Sequence, residues 1–503
     1  MEILSAEQIK LVDELTIARE PISSVDLMER AAMACFRRLI KLIGLNDEVF
    51  VFCGKGNNGG DGLAIARLMI EQGFDCHAVI IHYKENFSAD AEHNYKRLKE
   101  KYAGRIIEVR SAEDLDVITS NGPVMVDALL GTGTKGPAEG LLAEAIDFIN
   151  TRSKNTISID VPSGLLCDAS SAQHKYIVSS SLTLSFQLPK LAFLLPENQR
   201  YVPEFELLNI GLNPTAIQEQ QSPYYYLTRT EVSSLVRPRN KFSHKGSYGH
   251  ALLMAGSKGK SGAAIISAKA ALRSGAGLLT LHSNGDTTTA LLHHLPEAMS
   301  VTDPNPEMIS QLDHPEKYEA IGFGPGVGTE TGTQQVLKKL LQYYSGKLLI
   351  DADGLNILSE NKTWLTFLPP DTILTPHPKE FERLAGKQSD DFDRLTELKK
   401  FAMRHRCIVV LKGAHSAVAM PDGTVFFNSS GNAGLAKGGS GDGLTGIILG
   451  LLARGYNAPQ SALIGTFVHG FAADLCVKKK SMESLLISDV IDQLGKAFKK
   501  LGS

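Results

Sequence analysis

The chain lacks four features, and each absence narrows what it can be. No two cysteines are spaced as CxxC. The six lie scattered at positions 35, 53, 76, 167, 407 and 476, which excludes a zinc ribbon and gives no disulfide framework. They read as reduced thiols in a cytosolic chain. No apolar run approaches the ~18 residues a membrane span needs. The opening MEILSAEQIK has neither the apolar centre of a signal peptide nor the arginine bias of a transit peptide, so a cytoplasmic protein away from membranes is expected. Charge of one sign is also missing. A net charge of −3 over 503 residues gives no electrostatic basis for nucleic acid as a partner.

What is present is an ordinary globular composition, 43% hydrophobic and 21% charged, enough for two large α/β domains or three smaller ones. Residues 431–446 read GNAGLAKGGSGDGLTG, with seven glycines, and lead into the apolar run IILGLLA. Glycines ahead of a buried helix let backbone amides crowd where the helix dipole is positive, which suits a phosphate or a developing anion. Asp442 at that place can cap the helix or act as a base on a hydroxyl beside the phosphate.

In the first half, Ser23 and Asp26 form a capping box ahead of a helix with Met28, Ala31, Ala32, Cys35 and Leu39 on one face. VFVFC (49–53) reads as a buried strand. It enters the loop GKGNNGGDG (54–62), then a helix, then a second strand over 76–81, so the sheet is parallel. The loop matches GxGxxG through Gly54, Gly56 and Gly59, but the second strand ends in His82-Tyr83-Lys84, where a dinucleotide fold wants an acid. Asn57, Asn58 and Asp61 suit polar-ligand or hard-cation contacts, or Asx turns. Two more strands end alike, in DALLGTGTKGP (127–137) and DVPSG (160–164). Three strand-end acids beside glycine point to one ligand site beyond the carboxyl edge of the sheet.

In that order, GKGNNGGDG, DALLGTGTKGP and DVPSG resemble the NAD(P)H-hydrate epimerase domain of the bifunctional NAD(P)H-hydrate repair enzymes, over roughly residues 1–213. The resemblance implies a Rossmann-like three-layer domain that interconverts the R and S forms of a hydrated nicotinamide ring. It implies hydrate contacts from Asn57, Asn58, Gly59, Gly60 and Asp61, and from Gly131, Thr132, Gly133, Thr134, Lys135, Gly136 and Pro137. Asp160 would bind the hydrate and serve as acid/base group, and potassium would be held by Asn58, Asp127 and Ser163. A linker is expected at about 214–223.

The second half repeats the pattern of strands opening into glycine-bearing loops. Gly259-Lys260-Ser261 looks like half of a Walker A loop, but that motif needs glycine at 254, which is Met, so a P-loop NTPase is excluded. His377, between two prolines at a strand end, is open to a structural or a ligand role, and Lys412 alone would pass for a surface lysine. The ordered set HKGSYG, AGSKGKSGAA, GPGVG, DADGLN, TPHPKE, LKGAHS and GNAGLAKGGSGDGLTG resembles the nucleotide-dependent NAD(P)H-hydrate dehydratase of the ribokinase-like superfamily, over about 224–503. Small departures are Lys379 and Gly443, where the family commonly has glycine and often has valine.

That resemblance implies a ribokinase-like α/β domain in which Lys412, Gly413, Ala414, His415, Ser416 and Gly441 contact the adenine nucleotide. Ala263, Gly326 or Gly328, His377 and Asp442 would contact the hydrate, with Asp442 the catalytic base. The co-substrate would be ADP, or ATP, with Mg2+; fused bacterial enzymes of this kind mostly use ADP. The substrates would be NADHX and NADPHX, and a homo-oligomer is compatible with the sequence. Two other readings stay open at this point: a small-molecule kinase on the same fold, and a non-catalytic nucleotide sensor.

Overall fold

Short apolar runs bounded by glycine, proline and acidic residues become strands, and the helices between them bury one face each. The computed structural model describes residues 1–119 and 122–502, which divide into two units. The N-terminal unit holds Glu2–Ser222 with Asp390–Phe392; the C-terminal unit holds Met1, Pro223–Ser389 and the chain from Asp393 onward.

In the N-terminal unit the strands are β1 (Val49–Cys53), β2 (Cys76–Ile81), β3 (Ile106–Val109), β4 (Val124–Ala128), β5 (Asn155–Ile159), β6 (Leu182–Phe186) and β7 (Phe205–Leu208). They form one parallel sheet in the order β3-β2-β1-β4-β5-β6-β7. Its helices are α1 (Ala6–Arg19), α2 (Ser24–Leu39), α3 (Asn57–Glu71), α4 (Ala89–Tyr102), α5 (Gly140–Arg152) and α6 (Pro214–Gln218). Val49, Val51 and Cys53 pack into one core with α2 and α3, while Phe50 and Phe52 pack into another with α5. Two cores on opposite faces of one sheet make the expected three layers. The order reverses between β1 and β4, which opens a crevice beyond their carboxyl ends.

Residues 214–222, expected as linker, are folded into this unit. Asn213 caps α6 by accepting from the Ala216 amide at 3.0 Å, and Ala216 and Ile217 are buried.

The C-terminal unit has a ten-stranded sheet, made of β8 (Tyr224–Leu227), β9 (His250–Met254), β10 (Leu278–Ser283), β11 (Met299–Thr302), β12 (Ala320–Phe323), β13 (Lys347–Ile350), β14 (Ile373–Leu374), β15 (Ile408–Leu411), β16 (Ala417–Ala419) and β17 (Val425–Asn428). The order is β11-β10-β9-β12-β13-β14-β15-β16-β17-β8. All neighbours are parallel except β15 with β16 and β16 with β17, the hairpin turning at residues 421–423. The helices are α7 (Arg229–Leu235), α8 (Ser261–Arg273), α9 (Gly285–His294), α10 (Thr331–Tyr343), α11 (Asp353–Glu360), α12 (Pro378–Ala385), α13 (Asp391–His405), α14 (Ser440–Ala453), α15 (Ala458–Cys476) and α16 (Ile487–Lys500). From Gly443 to Ala453 every residue of α14 is buried, which an all-apolar helix requires. Among the described residues no helix is long and apolar enough to cross a membrane.

Two candidate active sites

In the N-terminal unit the strand ends converge on a cavity of about 1050 Å³. Its wall includes Asn57, Asn58, Asp61, Asp160 and Lys190, with Gly131, Thr132, Gly133, Thr134 and Lys135. Asn57 to Asp61 are not loop, as the sequence suggested, but the opening turns of α3. Of the expected contacts, Gly59, Gly60, Gly136 and Pro137 do not line the cavity. Gly59 is needed for close approach, since a Cβ there would sit 1.8 Å from the Gly54 carbonyl oxygen. Gly60 faces Met28 and Ala91.

Asp160 follows β5 with φ of 63°, in the left-handed region that non-glycine residues avoid. Its amide is fixed to the Leu184 carbonyl at 2.7 Å. Its Oδ1 accepts from Lys190 Nζ at 2.7 Å, and that ammonium is 1% exposed. Lys190 also donates to Ser185 Oγ at 2.8 Å and lies 3.2 and 3.3 Å from the Phe186 and Leu188 carbonyls. Lys190 was not singled out from the sequence. Burial holds the Asp61 carboxyl well above the usual carboxylate range, and the charges of Asp160, Asp13 and Asp90 add to it.

Asn58, in the cavity wall, belongs with Asp127 and Ser163 to the residue set expected for potassium. Asp127 is fully buried. Its Oδ2 accepts from Ser158 Oγ and the Ser163 amide, both at 2.9 Å, and its Oδ1 accepts from Ser163 Oγ at 2.5 Å and the Leu129 amide at 3.2 Å. Burial raises its pKa despite these four neutral donors. Asn58 Nδ2 donates to the Leu130 and Ile159 carbonyls at 2.7 and 3.2 Å, and its buried Oδ1 has no partner. A buried carboxylate whose donors are neutral, beside an unpartnered amide oxygen and a serine hydroxyl, fits a hard monovalent cation.

The second site is built at the mouth of the C-terminal sheet. Gly439, with φ of 87°, is the N-cap of α14, and Asp442 stands in the first turn. The backbone of that turn is tied to α8, because Ser267 Oγ donates to the Asp442 carbonyl at 2.8 Å. Asp351, just past β13, is buried and accepts from Lys412 Nζ at 2.9 Å and from Thr445 Oγ1 at 2.6 Å. Lys412 is therefore not a free surface lysine. Burial lowers its proton affinity, and the Asp351 and Glu380 carboxylates more than reverse the effect. Burial pushes the Asp442 carboxyl up to about 6; Asp351 and Asp353 add to the rise and Lys412 opposes it. A Cβ on Gly441 would lie 3.5 Å from Lys412 Nζ, so the lysine sits over the glycine turn.

His377 is the N-cap of α12. Its Nδ1 accepts from the Lys379 and Glu380 amides at 3.1 and 3.2 Å, while Glu380 Oε2 accepts from the His377 amide at 2.8 Å. Its ring is still 43% exposed, which leaves one edge open to a ligand. Burial lowers its pKa, with Glu380 opposing and Lys412 assisting. Gly326 approaches Lys260 and Ala263, and the Gly328 amide donates to Asp353 Oδ2 at 2.9 Å, so these elements frame one rim. Gly413 and Ala414 are exposed at the turn after β15, and Ser416 Oγ closes that turn. His415 instead turns its Nδ1 to the Asn428 carbonyl at 3.1 Å. Asp351 was missed in the sequence although DADGLN was marked; its signal lies in a lysine 61 positions away.

The family model described as NAD(P)H-hydrate dehydratase matches residues 251–496, and that described as YjeF-related protein N-terminus matches 24–192. The bifunctional NAD(P)H-hydrate repair enzyme Nnr of Moorella thermoacetica is 31% identical, over 98% of this chain and 96% of its own. The enzyme of the same name from Escherichia coli is 30% identical, over 93% and 88%. A ribokinase-like superfamily protein from Enterococcus faecalis superposes with a TM-score of 0.50 at 26% identity, over 56% of this chain and 98% of that one. With such relatives along nearly its full length, the chain belongs to the bifunctional NAD(P)H-hydrate repair enzyme family.

Proposed function

We propose that each unit carries one half of the repair of hydrated nicotinamide cofactors: epimerisation at the Asp160 cavity, and dehydration of the S epimer at Asp442. The observation that carries the reading is the convergence of Asp442, Asp351 and Lys412 on the glycine-capped start of α14. The ring hydroxyl loses its proton to Asp442 as its oxygen attacks the terminal phosphorus of the nucleotide. Amides of the first turn of α14 stabilise the charge on the transferred phosphoryl. The ring nitrogen lone pair then expels phosphate to leave an iminium, and loss of a proton from the neighbouring ring carbon to the departing phosphate restores the reduced cofactor. Hydroxide would leave poorly, which is why a phosphoryl donor is consumed. The dehydratase takes an adenine nucleotide as co-substrate; we assign ADP, giving AMP and phosphate, with Mg2+ carried on the nucleotide. Lys412 lies beside the turn where the phosphates would sit, and the exposed 413–414 backbone offers contacts to the nucleoside.

In the epimerase site Asp160, held by Lys190, is the acid/base group. Asn58 Oδ1, Asp127 and Ser163 would hold potassium, which would supply a fixed positive charge near the cavity. All six cysteines are free and buried, which fits a reducing, cytoplasmic setting.

The test is to incubate the chain with hydrated NADH and ADP, then with ATP. Restored NADH with one phosphate released per turnover is expected. A lasting phosphorylated product would instead identify a kinase, and no turnover a sensor.

A further inference from the structure

Asp13 belongs to none of the motifs above and lies upstream of the matched span that begins at residue 24. It is carried by α1, whose position is fixed at both ends. The Ala6 amide donates to Asp168 Oδ2 at 2.8 Å, and Thr16 Oγ1 accepts from the Asn213 amide at 3.0 Å. Between these ties, Ala6, Ile9, Lys10 and Asp13 face one way at helical spacing and line the same cavity as Asp61, Asp160 and Lys190.

Lys190 cannot serve Asp13, since its donors are taken by Asp160, Ser185 and two carbonyls. Asp13 accepts no hydrogen bond among the described residues. The charged groups facing it are Asp160, Lys190, Glu14 and, across the cavity, Asp61. Burial, then repulsion from Asp160, raises the Asp13 carboxyl to about 7. One carboxylate held by an ammonium and one carboxyl left without a partner are unequal in the way an acid/base pair needs.

We propose that Asp13 is a second catalytic residue of the epimerase, the acid that faces Asp160 across the hydrated ring. Resting on the epimerase reading of this cavity, the step balances as follows. The bond between the ring carbon and its hydroxyl breaks with its electron pair going to oxygen. That oxygen takes the Asp13 proton and leaves as water, while the ring nitrogen lone pair forms the iminium. A water molecule adds to the other face, the π electrons return to nitrogen, and the surplus proton passes to Asp160. The reverse direction exchanges the two roles, and solvent resets both carboxyls.

The experiment follows R and S interconversion by the full chain without nucleotide, so that dehydration draws nothing off. Asp13→Asn is expected to lower kcat at least about 10²-fold with KM little changed. In the wild type kcat falls as pH rises above about 7, where Asp13 loses its proton, and this fall is absent in Asp13→Asn. Asp13→Glu, which keeps the carboxyl, recovers about a tenth or more of the rate. An Asp13→Asn enzyme within about threefold of wild type, a loss lying wholly in KM, or a fall above pH 7 that persists would overturn the assignment. A wild-type chain that does not interconvert the epimers would instead overturn the reading of the cavity itself.

Discussion

Asp442 occupies a place that favours the neutral acid, and the proposed role as base needs the carboxylate. Its folded pKa of about 6 lies above the ordinary carboxylate value of 3.8. Between those values the folded chain holds more protons than the unfolded one, so stability falls as pH rises through the window and stays lower above it. Asp442→Asn removes that cost. Its melting temperature is expected to exceed wild type at pH 8 and to match it near pH 4, read by calorimetry at both; equal melting at pH 8 would refute a burial cost at 442. The same residue scale shows what the sequence could carry. Asp442, Asp160 and Lys412 stand in glycine-rich motifs and were legible. Asp351, Lys190 and Asp13 were not, because each gains meaning from a partner distant in the chain: Asp351 from Lys412, Lys190 from Asp160, Asp13 from the cavity wall.

At the scale of elements, α8 and α14 hold the proposed dehydratase site through close backbone approach. A Cβ at Gly446 would lie 2.1 Å from the Ser267 carbonyl oxygen and 2.7 Å from Ala270 Cβ. Ser267 also bonds the Asp442 carbonyl, so spreading the two helices moves the turn that carries Asp442. Gly446→Ala is expected to cost about 1–3 kcal/mol in urea unfolding and to lower dehydratase turnover; unchanged stability would show that the helices can part freely. Glycine also explains the misread start of α3. Gly59, Gly60 and Gly62 are poor helix formers, so local preference favours a loop. Packing overrules it, since side chains there would strike Gly54, Met28 and Ala128. Likewise α6 is too short to announce itself, and it is held by the Asn213 cap and two buried residues. Strands β1, β4 and β5 were legible, because short apolar runs ending in glycine or acid leave few alternatives, whereas β3, β6 and β7 lack that ending and were not read.

At the scale of the whole molecule, each of the two units carries one candidate site of its own. On the proposed reading the epimerase site supplies the epimer that the dehydratase site takes, by diffusion. A chain disabled in one site should therefore be complemented by a chain disabled in the other. The decisive measurement is NADH recovery from an epimer mixture with ADP by Asp442→Asn, alone and mixed with Asp160→Asn. Alone, the Asp442→Asn chain is expected to turn over at least about 10²-fold more slowly than wild type while still binding nucleotide. Mixed with Asp160→Asn, full conversion of both epimers returns. Near-normal turnover by Asp442→Asn alone would contradict the account.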